Sequence, residues 1–86
     1  MALYRLTFSR SAEKEMERVD REVAPRIAKA IDGLAANPRP HGCKKLKNYA
    51  GLWRIRVGNY RIIYAIDDTI RVVAIERIAH RKDAYD

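Results

Sequence analysis

The chain has 86 residues, enough for one domain and too few for two, so we expect residues 1–86 to fold as a single unit. Apolar residues make up 48% of the sequence, which excludes an intrinsically disordered tail. The formal net charge of +7 favours an anionic partner, either a nucleic acid or an acidic protein, over a basic surface that serves only solubility.

The first half of the sequence predicts one strand followed by two helices. Residues 2–8, ALYRLTF, alternate in the manner of a short strand. Residues 12–19 and 23–34 then carry apolar side chains at helical spacing, which is typical of two amphipathic helices that pack on a common partner. The side chains that we expect to cap these helices are those of Ser9 or Ser11 and of Asp20.

The second half predicts an antiparallel meander. Residues 37–42, NPRPHG, form a loop by their proline and glycine content. Residues 52–66, LWRIRVGNYRIIYAI, are typical of a hairpin that turns at Gly58 and Asn59, and residues 69–79 supply a third strand. We therefore expect an α+β domain with an N-terminal strand, a two-helix hairpin and a meander of about three strands, with the helices on one face of the sheet.

Pairing across the hairpin turn separates its side chains into two faces. The apolar face is expected to hold Trp53, Ile55, Val57, Tyr60, Ile62 and Tyr64. The other face carries Arg54, Arg56 and Arg61, with Arg56 directly opposite Arg61, and such a like-charge pair is destabilising. Glu76 on the last strand offers a purely structural explanation. We favour a binding site for an anion, because guanidinium groups fork onto phosphate oxygens.

Charge is distributed unevenly along the chain. No Asp or Glu occurs between Gly33 and Ile66, although a solvated surface normally mixes both signs. The candidate residues for binding an anionic partner such as a nucleic acid are Arg39, Lys44, Lys45, Lys47 and Lys82. Near the C-terminus, His80 can transfer a proton near neutral pH and Tyr85 can stack on a base.

Cysteine usage and the N-terminus bear on the cellular compartment. Cys43 is the single cysteine, which excludes a disulfide framework and fits a reducing cytoplasm. The N-terminus has no apolar run that suits a signal peptide or a spanning helix, so we expect no membrane partner. His41 and Cys43 are too few to form a zinc site, and we expect neither a metal ion nor a cofactor.

Several segments together resemble the RelE branch of the RelE/ParE superfamily of toxins from type II toxin–antitoxin systems. They are LAANPRP, KKLKN, GLWRIRVGNYRIIY and HRKDAY, and the resemblance extends over nearly the whole chain. It implies a microbial-RNase-like fold and a metal-independent endoribonuclease that cuts mRNA in the ribosomal A site. It also implies an acidic, RelB-like antitoxin as the partner, with operator DNA reached only through that antitoxin.

The resemblance also implies which residues act in catalysis. Carried over position by position, they are Arg54, Arg56, Arg61, His80, Arg81 and Tyr85. Arg61 and Arg81 would stabilise phosphate charge or assist the leaving group, and Tyr85 would stack on a base. Members of the RelE branch often have lysine at the positions of Arg54 and Arg56, and arginine does not lose its proton. The general base is therefore open between His80, a nearby lysine and a group of the ribosome.

Two other functions stay open at this point. The first is a ParE-like inhibitor of DNA gyrase on the same scaffold, although such toxins generally lack the complete set of His80, Arg81 and Tyr85. The second is a non-catalytic toxin homologue that acts only through its antitoxin.

Overall fold

A five-stranded sheet and two helices make up the fold of the computed structural model, which describes residues 3–83. The strand order in the sheet is β1-β5-β4-β3-β2. The elements are β1 (Arg5–Phe8), α1 (Arg10–Glu17), α2 (Ala24–Ala36), β2 (Lys44–Lys45), β3 (Leu52–Val57), β4 (Tyr60–Asp67), β5 (Val72–His80) and a short 3-10 helix (Arg81–Asp83).

The predicted α+β meander is confirmed, and the sheet is wider than the sequence indicated. Strands β3, β4 and β5 pair antiparallel in chain order. β1 lies outside β5 and runs parallel to it, so the sheet is mixed rather than antiparallel throughout. β2 adds a further edge strand, whose Lys44 and Lys45 pair with Arg54 and Trp53. The parallel pairing of β1 allows α1 to continue along the same edge of β5.

Of the two predicted helix caps, one is confirmed and the other is wrong. Ser9 caps α1, because its hydroxyl oxygen accepts a hydrogen bond of 3.0 Å from the N–H of Ala12. The prediction that Asp20 caps α2 is wrong. The N-cap of α2 is Val23, and its first turn contains Pro25, where the missing N–H of proline is tolerated.

The core lies between the helices and one face of the sheet. The buried residues of α2 are Ile27, Ile31 and Leu34. They share one cluster with the sheet residues Ile55, Tyr60, Ile62, Tyr64, Val73, Ile75 and Ile78. Trp53 and Val57 pack against this cluster, so the predicted apolar face of the hairpin is confirmed.

A β-bulge in β5 changes which side chains reach the other face. Ile63 pairs with Arg77 and Tyr64 with Ile75, which leaves Glu76 as the extra residue. Ile75 and Ile78 both belong to the core, so Glu76 and Arg77 lie on the opposite face. We call that opposite face the second face of the sheet. Among residues 3–83, no helix is both long and apolar enough to cross a membrane.

Candidate nucleic-acid interface

The arginines of the hairpin lie together on the second face in the register that the sequence predicts. Arg56 is opposite Arg61, and Arg54 is opposite Ile63. Arg56 is exposed and Arg61 is half-buried. Arg54 has only 5% of its surface exposed, which the alternation of the strand did not indicate.

The segment between β2 and β3 accounts for this burial. Leu46, itself 6% exposed, donates its N–H to the carbonyl of Leu52 at 3.0 Å. The N–H of Leu52 in turn donates to the carbonyl of Tyr49 at 3.1 Å. These bonds hold the segment beside β3, and its residues from Leu46 to Tyr49 line a cleft together with Arg54, so the Arg54 side chain lies in a cleft rather than on an open sheet.

Two adjoining clefts on the second face are lined by cations. The first has a volume of about 420 Å³ and is lined by Lys44, Lys45, Leu46, Lys47, Asn48, Tyr49, Arg54 and Arg56. The second has a volume of about 240 Å³ and is lined by Arg56, Gly58, Asn59, Tyr60, Arg61 and Arg81. Arg56 lines both clefts and joins them into one surface, which we call the basic groove.

Arg81 reaches the groove through a backbone contact at the hairpin turn. Its N–H donates to the carbonyl of Asn59 at 2.7 Å, which fixes the start of the 3-10 helix beside the turn. The contact brings a residue from the end of β5 next to Arg61. The structure thus places four of the predicted catalytic residues along one groove, namely Arg54, Arg56, Arg61 and Arg81.

The electrostatics of the groove favour an anion. Partial removal of Arg61 from water lowers the pKa of its guanidinium, and the neighbouring charges of Arg56 and Arg54 lower it further. The charged form of Arg61 is therefore destabilised by its two neighbouring cations. A phosphate bound among them relieves that repulsion and accepts bidentate hydrogen bonds.

His80 lies apart from the groove, on the core side of the sheet. It pairs with Tyr60 across β4 and β5, and the two rings meet edge to face with centroids 5.2 Å apart. Its Nδ1 accepts a hydrogen bond of 3.3 Å from the N–H of Lys82. Arg61 pairs with Ala79, one residue earlier, so the His80 ring and the Arg61 side chain lie on opposite faces.

The remaining predicted residues are Arg39, Lys82 and Tyr85. Arg39 lies outside the groove, where its guanidinium donates to both carboxylate oxygens of Asp68, at 2.9 and 3.3 Å. The same guanidinium is 5.1 Å from the ring centroid of Trp53. Lys82 is exposed on the 3-10 helix. Tyr85 lies outside the described residues.

Sequence reasoning missed one aromatic residue of this face. Tyr49 is 41% exposed and lines the basic groove. Aromatic side chains stack on bases, so an aromatic residue that follows several lysines in a segment without Asp or Glu is the signal that could have identified Tyr49. Within residues 3–83, no cluster of three or more His, Cys, Asp or Glu side chains is placed to hold a metal ion.

Comparison with known proteins identifies the family. The model of the ParE toxin of type II toxin–antitoxin systems (parDE) matches residues 6–85. Toxin RelE3 of Methanocaldococcus jannaschii is 33% identical over 87 residues, which cover 95% of this chain and 96% of that toxin. Toxin RelE of Mycobacterium tuberculosis is 31% identical over 83 residues, which cover 95% of this chain and 86% of that toxin.

A solved structure agrees with both matches. The RelE chain of the archaeal RelE–RelB complex from Pyrococcus horikoshii OT3 superposes with a TM-score of 0.81 at 26% identity, over 98% of this chain and 100% of that chain. This chain therefore belongs to the RelE/ParE family and is a RelE-like toxin of a type II toxin–antitoxin system. The resemblance stated from the sequence is confirmed.

Proposed function

We propose that this toxin is a ribosome-dependent endoribonuclease that cuts mRNA in the A site and so inhibits translation. The observation that carries the proposal is the basic groove, in which Arg54, Arg56, Arg61 and Arg81 line adjoining clefts with three lysines. Such a groove follows a phosphate backbone and neutralises its charge. The RelE names of the curated relatives support RNA as the nucleic acid.

The proposed reaction depends on groups that stabilise negative charge on the phosphate rather than on a cofactor. The 2′-hydroxyl of the nucleotide gives its proton to a base and its oxygen bonds to the adjacent phosphorus; the bond from phosphorus to the 5′-oxygen of the next nucleotide breaks, and that oxygen takes up a proton from an acid, which leaves a 2′,3′-cyclic phosphate and a 5′-hydroxyl. RNA is cut in this way and DNA is not, because the nucleophile is the 2′-hydroxyl. Arg61 and Arg81 line the same cleft at the hairpin turn, and we assign to them the stabilisation of the charge that develops on the phosphate.

The base that removes the 2′-hydroxyl proton is a group other than arginine. His80 is turned toward Tyr60 on the other face of the sheet. The lysines of the groove that can lose a proton near the phosphate include Lys44 and Lys47, whereas Lys45 is paired with Trp53 and holds its Nζ 5.7 Å from the centroid of that core-face ring. We therefore assign the base to one of these lysines or to a group of the ribosome.

We further propose that an acidic, RelB-like antitoxin neutralises the toxin. The relative from Pyrococcus horikoshii was solved as a complex with RelB, and so was the toxin of Methanococcus jannaschii. A polyanionic segment complements the basic groove and would compete with mRNA for it. Operator DNA would be contacted only through the antitoxin, and the cytoplasm, where ribosomes translate, is the site of action.

Induction of two variants in cells tests the nuclease proposal. Arg61→Ala and Arg81→Ala each remove one charge that stabilises the phosphate, so we expect mRNA cleavage to fall about 10²-fold and growth arrest to disappear. Arg5→Ala, an exposed cation on the distant edge strand β1, is the matched control and should stay toxic. If both groove variants keep their fold and still arrest growth and cut mRNA, the proposal fails.

The second candidate function is inhibition of DNA gyrase, which the ParE name of the matching family model favours. Pulse labelling after induction separates the two functions. A nuclease halts the incorporation of amino acids first. A gyrase inhibitor halts the incorporation of thymidine first and produces double-strand breaks, and that order would replace the first proposal.

A further inference from the structure

A third cleft on the second face adjoins the basic groove and differs from it in chemistry. It has a volume of about 320 Å³, and its lining includes Tyr49, Leu52, Ile63 and Glu76. We call it the side cleft. Tyr49 also lines the basic groove, so the two spaces share one aromatic residue.

The strand register fixes how close the two spaces are. Arg54 at the bottom of the groove and Ile63 in the side cleft are directly paired across β3 and β4. Side chains paired in this way start about 5 Å apart. A nucleotide whose phosphate lies in the groove is therefore long enough to place its own base in the side cleft.

Glu76 gives the side cleft its polarity. Among the described residues that line the groove and the side cleft, Glu76 alone carries a carboxylate. Strand alternation from the core residues Val73 and Ile75 directs it to this face, where it is half-buried, and its carbonyl accepts a hydrogen bond of 2.7 Å from the Ser9 hydroxyl. The neighbouring Arg77 is held by Glu15, with its Nη2 2.6 Å from Oε2 of that carboxylate.

A half-buried carboxylate beside a groove for polyanions repels phosphate, so a nucleotide bound there would face it with its base. An ionised carboxylate only accepts hydrogen bonds. Guanine presents two adjacent donors on its Watson–Crick edge, the N1–H and the exocyclic amino group. Adenine and cytosine present an amino group beside a ring acceptor, and uracil presents one N–H between two carbonyls. Guanine is thus the base that satisfies both oxygens of the carboxylate.

We propose that the side cleft is a guanine-binding subsite. The base stacks on Tyr49 over an apolar floor of Leu52 and Ile63 and donates its N1–H and amino group to Glu76. Single-stranded RNA is read by this combination of aromatic stacking and contacts to the base edge. The inference rests on the proposed function to the extent that RNA is the substrate, and it adds a residue that selects the base.

Binding of short RNAs tests the subsite without the ribosome. The probes are fluorescein-labelled pentaribonucleotides of uridine with a central guanosine, inosine or adenosine, measured by anisotropy at low salt. Inosine lacks only the exocyclic amino group. We expect the full-length toxin to bind the guanosine probe about tenfold more tightly than the inosine probe, and the adenosine probe no better than the inosine probe.

Three variants assign the discrimination to the side cleft. Glu76→Gln keeps the shape of the side chain and replaces one acceptor by a donor, so the guanosine-to-inosine ratio should fall to about one. Glu17→Gln removes the same charge from an exposed position of α1 and should keep the ratio of the wild type. Tyr49→Ala should weaken all three probes about tenfold through the loss of stacking.

Equal binding of guanosine and inosine by the wild type overturns the subsite, and this test needs no variant to fold. An unchanged ratio in a folded Glu76→Gln variant overturns it as well. Cleavage on ribosomes is scored separately. Preferential binding of the guanosine probe without mRNA cleavage would support the guanine-binding subsite and refute the nuclease proposal. Cleavage of mRNA without that preference would refute the subsite and support the nuclease proposal.

Discussion

Asp68 is an exposed carboxylate that holds two separate parts of the chain. The hydroxyl of Tyr4 donates to it at 2.6 Å, and the guanidinium of Arg39 donates to both of its oxygens. These hydrogen bonds, from Arg39 first and from Tyr4 second, lower the pKa of Asp68 to about 2. The charge of Arg39 is therefore used to attach the loop before β2 to the turn between β4 and β5.

The pKa of Asp68 predicts a dependence of stability on pH. Because the folded-state pKa lies below the ordinary value of about 3.9, the contribution of Asp68 is complete above that value and is lost as the pH falls through about 2. The melting temperature of Asp68→Asn should lie below that of the wild type at neutral pH, by a small amount because the pair is exposed. Melting curves followed by circular dichroism should show the two temperatures converging as the pH falls from about 4 toward 2. An equal difference at pH 7 and at pH 2 would contradict the assignment.

Helix α1 closes an edge of the sheet that β1 leaves open. β1 ends opposite Ile75, and β5 continues to His80. Beyond that point the Ser9 N–H donates to the carbonyl of Ile75 at 2.9 Å, and the Glu15 carboxylate accepts from the N–H of Ile78 at 2.8 Å. The helix thus supplies hydrogen bonds that a neighbouring strand would otherwise make.

The Glu15 side chain should therefore contribute strongly to stability. Glu15→Gln weakens both the charged pair with Arg77 and the bond to the backbone of β5, so we expect the free energy of unfolding to fall by about 1–3 kcal/mol. Urea denaturation measures this change. Glu17→Gln, two residues later and exposed, should change it by less than about 0.5 kcal/mol. Equal effects of the two substitutions would show that Glu15 does not close the edge.

Two glycines should respond to alanine with opposite signs. Gly58 at the hairpin turn has a φ of +59°, so alanine there should destabilise the protein by about 1–2 kcal/mol. Gly33 lies inside α2 with nothing within 4 Å of an added Cβ, so alanine there should stabilise it by about 0.5–1 kcal/mol. The same urea measurement serves both variants. Two changes of the same sign would contradict the turn conformation or the helix.

At the scale of the whole molecule, the sheet separates two environments. One face carries the core and both helices, and the second face carries the basic groove. Binding of RNA to the groove releases counterions, so its affinity falls with salt in proportion to the number of phosphates that are neutralised. The slope of that dependence reports which cations contact the RNA.

The salt dependence should distinguish cations of the groove from cations elsewhere. Arg56→Ala should reduce the slope of log K against log[salt] for a uridine pentamer by about 0.7, the value for one phosphate of a single strand. Lys29→Ala removes an equal charge from the exposed side of α2 and should leave the slope unchanged. Titrations between about 50 and 200 mM salt give both slopes. A loss of slope in both variants would mean that the total charge, and not the groove, binds the RNA.

The hairpin could be predicted from the sequence because strand alternation is a local property. The register of Arg56 with Arg61 and the apolar face of Ile55 and Ile62 follow from the position of the turn alone. The parallel pairing of β1 and the hydrogen bond of Arg39 to Asp68 join residues far apart in the chain, and neither leaves a local pattern.

The parts of the site that could not be predicted depend on irregular structure. The burial of Arg54 accompanies a cleft that the irregular segment from Leu46 to Tyr49 forms beside β3. The placement of Arg77 next to Glu76 on the second face requires a β-bulge, which shifts the alternation of β5 by one residue. His80 was grouped with the arginines because it adjoins Arg81, and the strand register instead directs it to the core face.

The most direct test of the nuclease is to map the ends of an mRNA after treatment with the purified toxin. Ribosomes stalled at a defined codon are incubated with the toxin, and new 5′ ends are located by primer extension, with the same mRNA lacking ribosomes as the control. We expect new ends within the A-site codon when ribosomes are present, and none on the free mRNA. Intact mRNA on the ribosome, or the same cuts without ribosomes, would contradict the proposed function.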